Sequence, residues 1–440
     1  MSVVIPERHQ LMPLQRPPSI LLIAPHGSYR TMRYLQAASR LGLHVVIISE
    51  GEHSIVSAYA QGLHVHLDQQ EEALQTILTC TANMDVLAVI GTDDSVIELA
   101  AKVAQQLGLA HNNVNTARLA RRKDLARKAL QDKSIPVPKY QCVELEAIFN
   151  QIDIKIDFPL VIKPLALSAS RGVIRVNNKD ELTVAAKRIK NLLAKYTDLE
   201  CVEKEQVLLE EYIHGSEIAV EGIVDKGVFK LLTIFDKPDD LHGPFFEETY
   251  YITPTRLSAE QVNVVSKVVQ QACEAYGVKT GPVHAECRIR GTEIYLIEMA
   301  ARTIGGLCSD ILEYGLGCSL EEIVLNQATG QPVEKSFSET AAGVMMIPVP
   351  KQGILKRIEG LLEAGKIEFI EDINIQLRDG YELTPLPEGN SYLGFIFAKA
   401  PKFEQVEQAL RDAYACLNVV VAPLWKIAEI ESQTVRNSNE

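Results

Sequence analysis

The chain has 440 residues, with 44 Lys plus Arg against 57 Asp plus Glu and a formal net charge of −13. That length exceeds what one hydrophobic core supports and implies two to four domains, while 47% apolar and 23% charged residues exclude wholesale disorder. The acidic balance argues against a nucleic-acid partner, no uncharged apolar run is long enough to span a membrane, and the first 18 residues lack a secretory signal pattern, so a cytoplasmic protein is expected. Eight scattered cysteines without a C-x-x-C pair fit reduced thiols better than a disulfide framework, and His64 with His66 reads as two polar positions on a short strand rather than half a zinc site.

Residues 1–18 read as a Pro-rich arm. Apolar strands then alternate with amphipathic helices. Strands are expected at 19–24, 43–49, 65–68 and 85–90, and helices at 29–41, 71–80 and 96–107, with Thr92-Asp93-Asp94 capping the last helix. Such alternation implies a parallel sheet covered on both faces, a Rossmann-like domain over 19–115. Its first strand ends in Pro25-His26-Gly27-Ser28 with no G-x-G-x-x-G, which argues against a dinucleotide dehydrogenase. A basic helix over 116–132 leads into a small α+β unit ending at 215, with strands at 158–163, 173–176 and 207–213 and a helix at 182–195. Longer antiparallel strands and a helix over 259–276 fill 216–335. A last α+β module, 336–432, has strands at 343–349 and 392–397 and a helix at 403–417, and the tail after Ser432 is expected to fray.

Lys163 ends a strand and is followed by PLALSASRG, Pro164–Gly172. A fixed ammonium, small hydroxyl residues and backbone N–H groups in such a loop can close over a polyphosphate; the segment reads equally as a surface loop with a solvated lysine. In LLEEYIHGSE, Leu208–Glu217, the alternation puts Glu210 and Glu211 on opposite faces of a strand. Glu210 could accept from an adenine amino group and Glu217 from ribose hydroxyls, or both could be acidic strand ends facing water.

Residues 281–302 read GPVHAECRIRGTEIYLIEMAAR. Val283, Ala285, Cys287 and Ile289 alternate with His284, Glu286, Arg288 and Arg290, which is a strand with one polar face. A three-residue turn, Gly291-Thr292-Glu293, would pair Arg290 with Ile294 and Glu286 with Glu298, their Cβ atoms about 5 Å apart on one face. A two-residue turn would send the two glutamates to opposite faces. Opposed carboxylates need neutralising, by protonation of one, by Arg288 or by a divalent cation such as Mg²⁺, with Mn²⁺ as an alternative. Arg302 follows four residues after Glu298, where a guanidinium can hold a transferring phosphoryl group or sit in a structural ion pair, and Gly305-Gly306 allow close backbone approach.

Lys123, the 163–172 segment, EEYI with Glu217, and the acidic hairpin resemble the ATP-grasp superfamily in order and spacing, across about residues 20–330. The resemblance implies an ATP-grasp fold: a Rossmann-like N-terminal domain, a small lid domain (116–215 with its linker helix), an antiparallel catalytic domain (216–335) and an extra C-terminal α+β domain. It implies that Lys123 and Lys163 contact the ATP phosphates and that Ser168, Ser170, Arg171 and Gly172 belong to the lid loop. It further implies that Glu210 meets the adenine amino group, that Glu211 and Ile213 give backbone contacts, that Glu217 holds the ribose, that Glu286 and Glu298 bind the metal, and that Arg302 is catalytic. The family pattern has an Asn two residues after the second metal glutamate. Ala300 stands there in this chain, and the same pairing puts His284 opposite it, so either His284, water or a backbone oxygen fills the place, or His284 is a hydrogen-bonded neighbour of the site.

ATP held with Mg²⁺ against two lysines and an arginine suits phosphoryl transfer to a substrate carboxylate, then amide formation from the acyl phosphate without a protein nucleophile. DKPDDLHGPFFEETYYITP (236–254), GVMMIPVPKQGILKRIEG (343–360) and LPEGNSYLGFIFAK (386–399) look like the carboxylate–amine ligase branch with its L-amino acid ligases. That likeness implies that Glu248 and Tyr251 face small-molecule carboxylate and amine substrates, in a protein of a kind that commonly forms homodimers. A carboxyphosphate-forming carboxylase and a silent ATP-binding regulator are the competing readings. The first lacks a biotin-carrier lysine motif here, and the second would not need Lys123, Lys163, Glu286, Glu298 and Arg302 together.

Overall fold

The structure, a computed structural model, describes residues 17–51, 62–150, 152–197, 199–332 and 340–424. Nearly all of the expected N-terminal arm and the polar tail lie outside these residues. Four sheets organise the described residues. The first is parallel, with spatial order Gly62–His64, His44–Ser49, Ser19–Ile23, Val86–Gly91. Its strands are apolar on both faces because helices Arg30–Arg40, Gln70–Thr81 and Ile97–Gln106 cover them. The short third strand lies at 62–64 rather than 65–68: Val65 still bonds Ser49 O, and the chain then turns into the next helix.

The second sheet is antiparallel, in the order Tyr140–Glu144, Gln206–Glu211, Leu160–Pro164, Ile174–Val176, and packs on helix Lys179–Leu193. The third carries the body of the molecule. Eight antiparallel strands run Glu293–Ala300, Gly281–Arg290, Ser216–Asp225, Val228–Asp236, Tyr250–Thr253, Ala341–Ile347, Gly394–Ala400, Ile370–Ile375. The strands after residue 340 therefore continue this sheet, and only Gly353–Glu359, Glu382–Leu383 and Asn418–Ala422 form a separate three-stranded sheet. Helix Ala259–Tyr276, opened by a Ser258–Gln261 capping box and closed at Gly277 with φ 74°, packs on the sheet as its periodicity requires. Helix Leu320–Ala328 ties the units together: Val324 and Leu325 share a cluster with Ile20, Leu22 and Tyr34 of the first domain.

The basic segment is two helices, Val114–Arg121 and Lys123–Asp132, not one. Arg122 leaves helical geometry (φ −98°, ψ 103°) and its guanidinium pairs with Asp124. The break starts a new helix at Lys123, whose N–H bonds Leu165 O beside the lid loop. No described helix is long and apolar enough to cross a membrane.

Candidate active site

A cleft of about 710 Å³ lies where the first sheet, the small antiparallel domain, the large sheet and the 376–395 region meet. The hairpin at its floor is built in an unexpected way. Arg290 pairs with Glu293, so the turn has two residues, Gly291 and Thr292. That register continues through Cys287 with Leu296 and would turn Glu298 to the wrong face. A β-bulge at Ile297 adds one residue, and Glu286 then pairs with Glu298 and His284 with Ala300. Both carboxylates line the cleft, 24% and 37% exposed. The bulged backbone is used: Ile297 O accepts from Arg127 Nη2.

Around this floor the charges are paired in sequence. Lys123 Nζ donates to Leu167 O at 2.7 Å and lies 3.2 Å from Glu298. Lys163 Nζ is 2.6 Å from Glu210, whose other oxygen takes Arg127 Nε at 2.5 Å. Burial alone would raise the Glu210 pKa, but Arg127 and then Lys163 hold it down to about 2. Arg288 does not relieve the Glu286–Glu298 pair; its Nε bonds Glu217 at 2.7 Å and its Nη1 bonds Ile213 O. Glu211 reaches the rim, where its N–H bonds Lys139 O.

Lys237, to which the sequence reading of 236–254 gave no role, is a buried cation among three acids. Its Nζ bonds Glu217 at 2.7 Å, bonds Glu248, and lies 3.9 Å from Glu286. Glu217, Glu248 and Glu286 each place an oxygen within 4.8 Å of the others. Burial and then the neighbouring Glu286 push Glu248 up to about 7, and Tyr251 Oη donates to its Oε2 at 2.7 Å. Burial also opposes charge on Glu286, but Lys237 and His284 outweigh it and keep that carboxylate ionised. His284 sits between two acids: Nδ1 is 2.9 Å from Glu221 and Nε2 is 3.7 Å from Glu286. Its ring is thereby held cationic, with a pKa raised to about 9 against the opposing effect of burial.

The first domain supplies the opposite wall. Asp93 and Asp94 were expected to cap the helix that begins at Ile97, yet that helix has no side-chain cap. Asp93 instead pairs with buried Arg30 at 2.7 Å, and Asp94 takes Arg302 through two parallel bonds of 2.8 Å. Arg30 continues to the carbonyls of Thr303 and Ile304. Gly306 N–H donates to Tyr29 Oη at 2.7 Å, and at φ 62° a Cβ there would meet the Phe395 ring at 2.8 Å, so glycine is required. Gly305 also lines the cleft. The loop of Ser168, Ser170, Arg171 and Gly172 hangs over the cleft with Ala169 and Ser170 at positive φ. Arg171 Nε bonds Ser168 O, its guanidinium lies over the Tyr196 ring, and Gly172 N–H bonds Pro387 O at 2.8 Å.

The geometry can hold a nucleotide tail at two lysines and an arginine, and a hard divalent cation at two cleft-facing carboxylates, since every ligand atom offered is oxygen. The Glu217–Glu248–Glu286 group is already neutralised on its inner side by Lys237 and Arg288.

Three family models match the chain: an ATP-grasp N-terminal domain over residues 35–111, an ATP-grasp domain over 156–311, and the L-amino acid ligase C-terminal domain 2 over 345–422. An uncharacterized protein of Sinorhizobium fredii, y4rH, is 22% identical over 91% of this chain and 83% of its own length. The alanine–anticapsin ligase of Bacillus subtilis is 25% identical over 59% of this chain, and the match spans only 58% of that enzyme. The crystal structure of the L-amino acid ligase from Bacillus licheniformis shares the fold, with a TM-score of 0.78 and 24% identity over 92% of this chain and 100% of that one. With its nucleotide, acidic-hairpin and C-terminal segments each matched in order, the chain belongs to the ATP-grasp superfamily, in the carboxylate–amine ligase branch.

Proposed function

We propose that the protein is a Mg²⁺- and ATP-dependent ligase that joins the carboxylate of one amino acid to the amine of another and releases ADP and phosphate. The observation that carries this reading is the Glu286–Glu298 pair, facing one cleft with Lys123, Lys163 and Arg302. Lys123 and Lys163 bind the phosphates of ATP, the loop from Ser168 to Gly172 covers them, and Glu210, Glu211, Ile213 and Glu217 take the adenosine. A bound Mg²⁺, held by Glu286 and Glu298, supplies neutralisation of phosphate charge.

A substrate carboxylate oxygen attacks the γ-phosphorus, the bond to ADP breaks, and an acyl phosphate results. Arg302, held in one orientation by Asp94, faces the transferring group and stabilises its charge. The amine of the second substrate then attacks the acyl carbon. The tetrahedral oxyanion collapses, phosphate leaves, and the surplus proton on the nitrogen passes to the Glu248 carboxylate. Glu248, fixed by Tyr251 and Lys237 across from the phosphate-binding groups, holds a substrate ammonium. Gly305 and Gly306 line the cleft beside Arg302.

ADP release measured over paired amino acids, with products read by mass, tests the reading. Turnover that needs both a carboxylate and an amine, with a product equal to their sum less water, is expected. Bicarbonate-dependent turnover would replace it with carboxyphosphate chemistry, and ATP binding without turnover with a regulatory role.

A further inference from the structure

Glu221 lies within the large sheet and is fully buried. A carboxylate in that position is costly unless donors meet it, and an apolar residue would serve packing better. Its two oxygens serve two different parts of the site. Oε2 is 2.9 Å from His284 Nδ1, and Oε1 accepts the N–H of Ile304 at 3.2 Å. Ile304 lies between Arg302 and Gly305-Gly306, and Arg30 holds its carbonyl from the other side at 3.1 Å.

The ladder explains why His284 is the link. Glu221, His284 and Ala300 occupy one row across three adjacent strands, next to the row of Ala219, Glu286 and Glu298. The methyl group of Ala300 offers no polar atom to that row. His284 Nε2 at 3.7 Å and Lys237 Nζ at 3.9 Å both approach Oε1 of Glu286.

We propose that Glu221 is a positioning residue for phosphoryl transfer: through His284 it fixes the metal-binding Glu286 carboxylate, and through the Ile304 N–H it fixes the loop that carries Arg302. The inference rests on the ligase reading and adds to it a single buried group that sets the metal side and the arginine side together. Groups that orient a ligand without touching the ion typically change metal affinity by about 10–100-fold when removed.

The test is Mn²⁺ binding to the full-length protein with ADP, read from the EPR signal of free Mn²⁺. Glu221→Gln and His284→Ala are each expected to weaken Mn²⁺ by roughly 10-fold or more, while ADP binding in EDTA stays unchanged. The double variant should bind Mn²⁺ no more weakly than the worse single one, because the two residues act in series. His284→Gln keeps a donor toward Glu286 and should recover part of the affinity. Glu221→Gln should also lower kcat further than His284→Ala, since only it loosens the Arg302 loop. Wild-type Mn²⁺ affinity in folded Glu221→Gln and His284→Ala overturns the proposal. If Glu221→Gln does not fold, the histidine pair decides: equal affinity in His284→Ala and wild type overturns it, and loss with partial recovery in His284→Gln supports it. A wild-type protein that binds no Mn²⁺ with ADP overturns the ligase reading and this inference with it.

Discussion

Arg302 and Asp94 meet in a planar two-bond pair that a single ammonium cannot copy. Arg302→Lys should therefore lower kcat by roughly 10²–10³-fold with little change in the KM for ATP, as read by steady-state ADP release. Glu210 gives a pH signature. Arg127 and Lys163 hold its pKa at about 2, below the ordinary 4.5, so its contribution is present above the ordinary value and is lost as pH falls toward the folded one. In urea unfolding, wild type should lose stability between about pH 4.5 and pH 2 more steeply than Glu210→Gln, which at neutral pH should already be weaker by about 3–5 kcal/mol because it leaves buried cations short of a partner. At this scale the sequence was partly legible. Lys163 at a strand end and Glu210 on the inner face of its strand follow from alternation. Lys237, Asp93 and Asp94 do not: a lysine among prolines and aspartates looks solvated, and two acids before a helix look like caps, until distant strands and arginines claim them.

The hairpin shows how much of an element local pattern can carry. Alternation along 281–290 identified the polar face, and the partner of Glu286 was readable from the distance across the turn. The count of turn residues was not. A two-residue turn and one bulge give the same parity as a three-residue turn, and only the ladder distinguishes them. This makes an unusual deletion informative. Removing Ile297 should straighten the strand and leave Glu298 opposite Glu286, so Mn²⁺ binding with ADP should survive. The Arg127 guanidinium would lose its bulge carbonyl, and chemical denaturation should report a loss of about 1–3 kcal/mol. The break at Arg122 was likewise invisible in a continuous basic run, because its cause is a side-chain pair with Asp124 rather than a proline or glycine.

Over the whole molecule, the alternating first domain and the antiparallel character of 216–300 were plain from periodicity, whereas the passage of the large sheet into residues beyond 340 was not, because strand order across such separations has no local signal. The C-terminal region also reaches the lid. Arg188 and Glu388 form two bonds of 2.8 Å, and Pro387 O receives the Gly172 N–H. Arg188 is 40% exposed, so the pair is worth about 0.5–1 kcal/mol. Arg188→Ala and Glu388→Ala should each raise the KM for ATP by roughly two- to fivefold, with the double variant no worse than either, as a kinetic double-mutant cycle would read.

The seam between Tyr250–Thr253 and Ala341–Ile347 has a practical consequence. Exchanging C-terminal regions among relatives to alter which amino acids are joined amounts to transplanting three strands of a continuous eight-stranded sheet. A donor segment must reproduce the match of Tyr250 with Met345 through Thr253 with Ala342, or the recipient is left with a raw hydrogen-bonding edge. Crossover points for chimeras therefore belong outside that seam, with both partner strands taken from one parent.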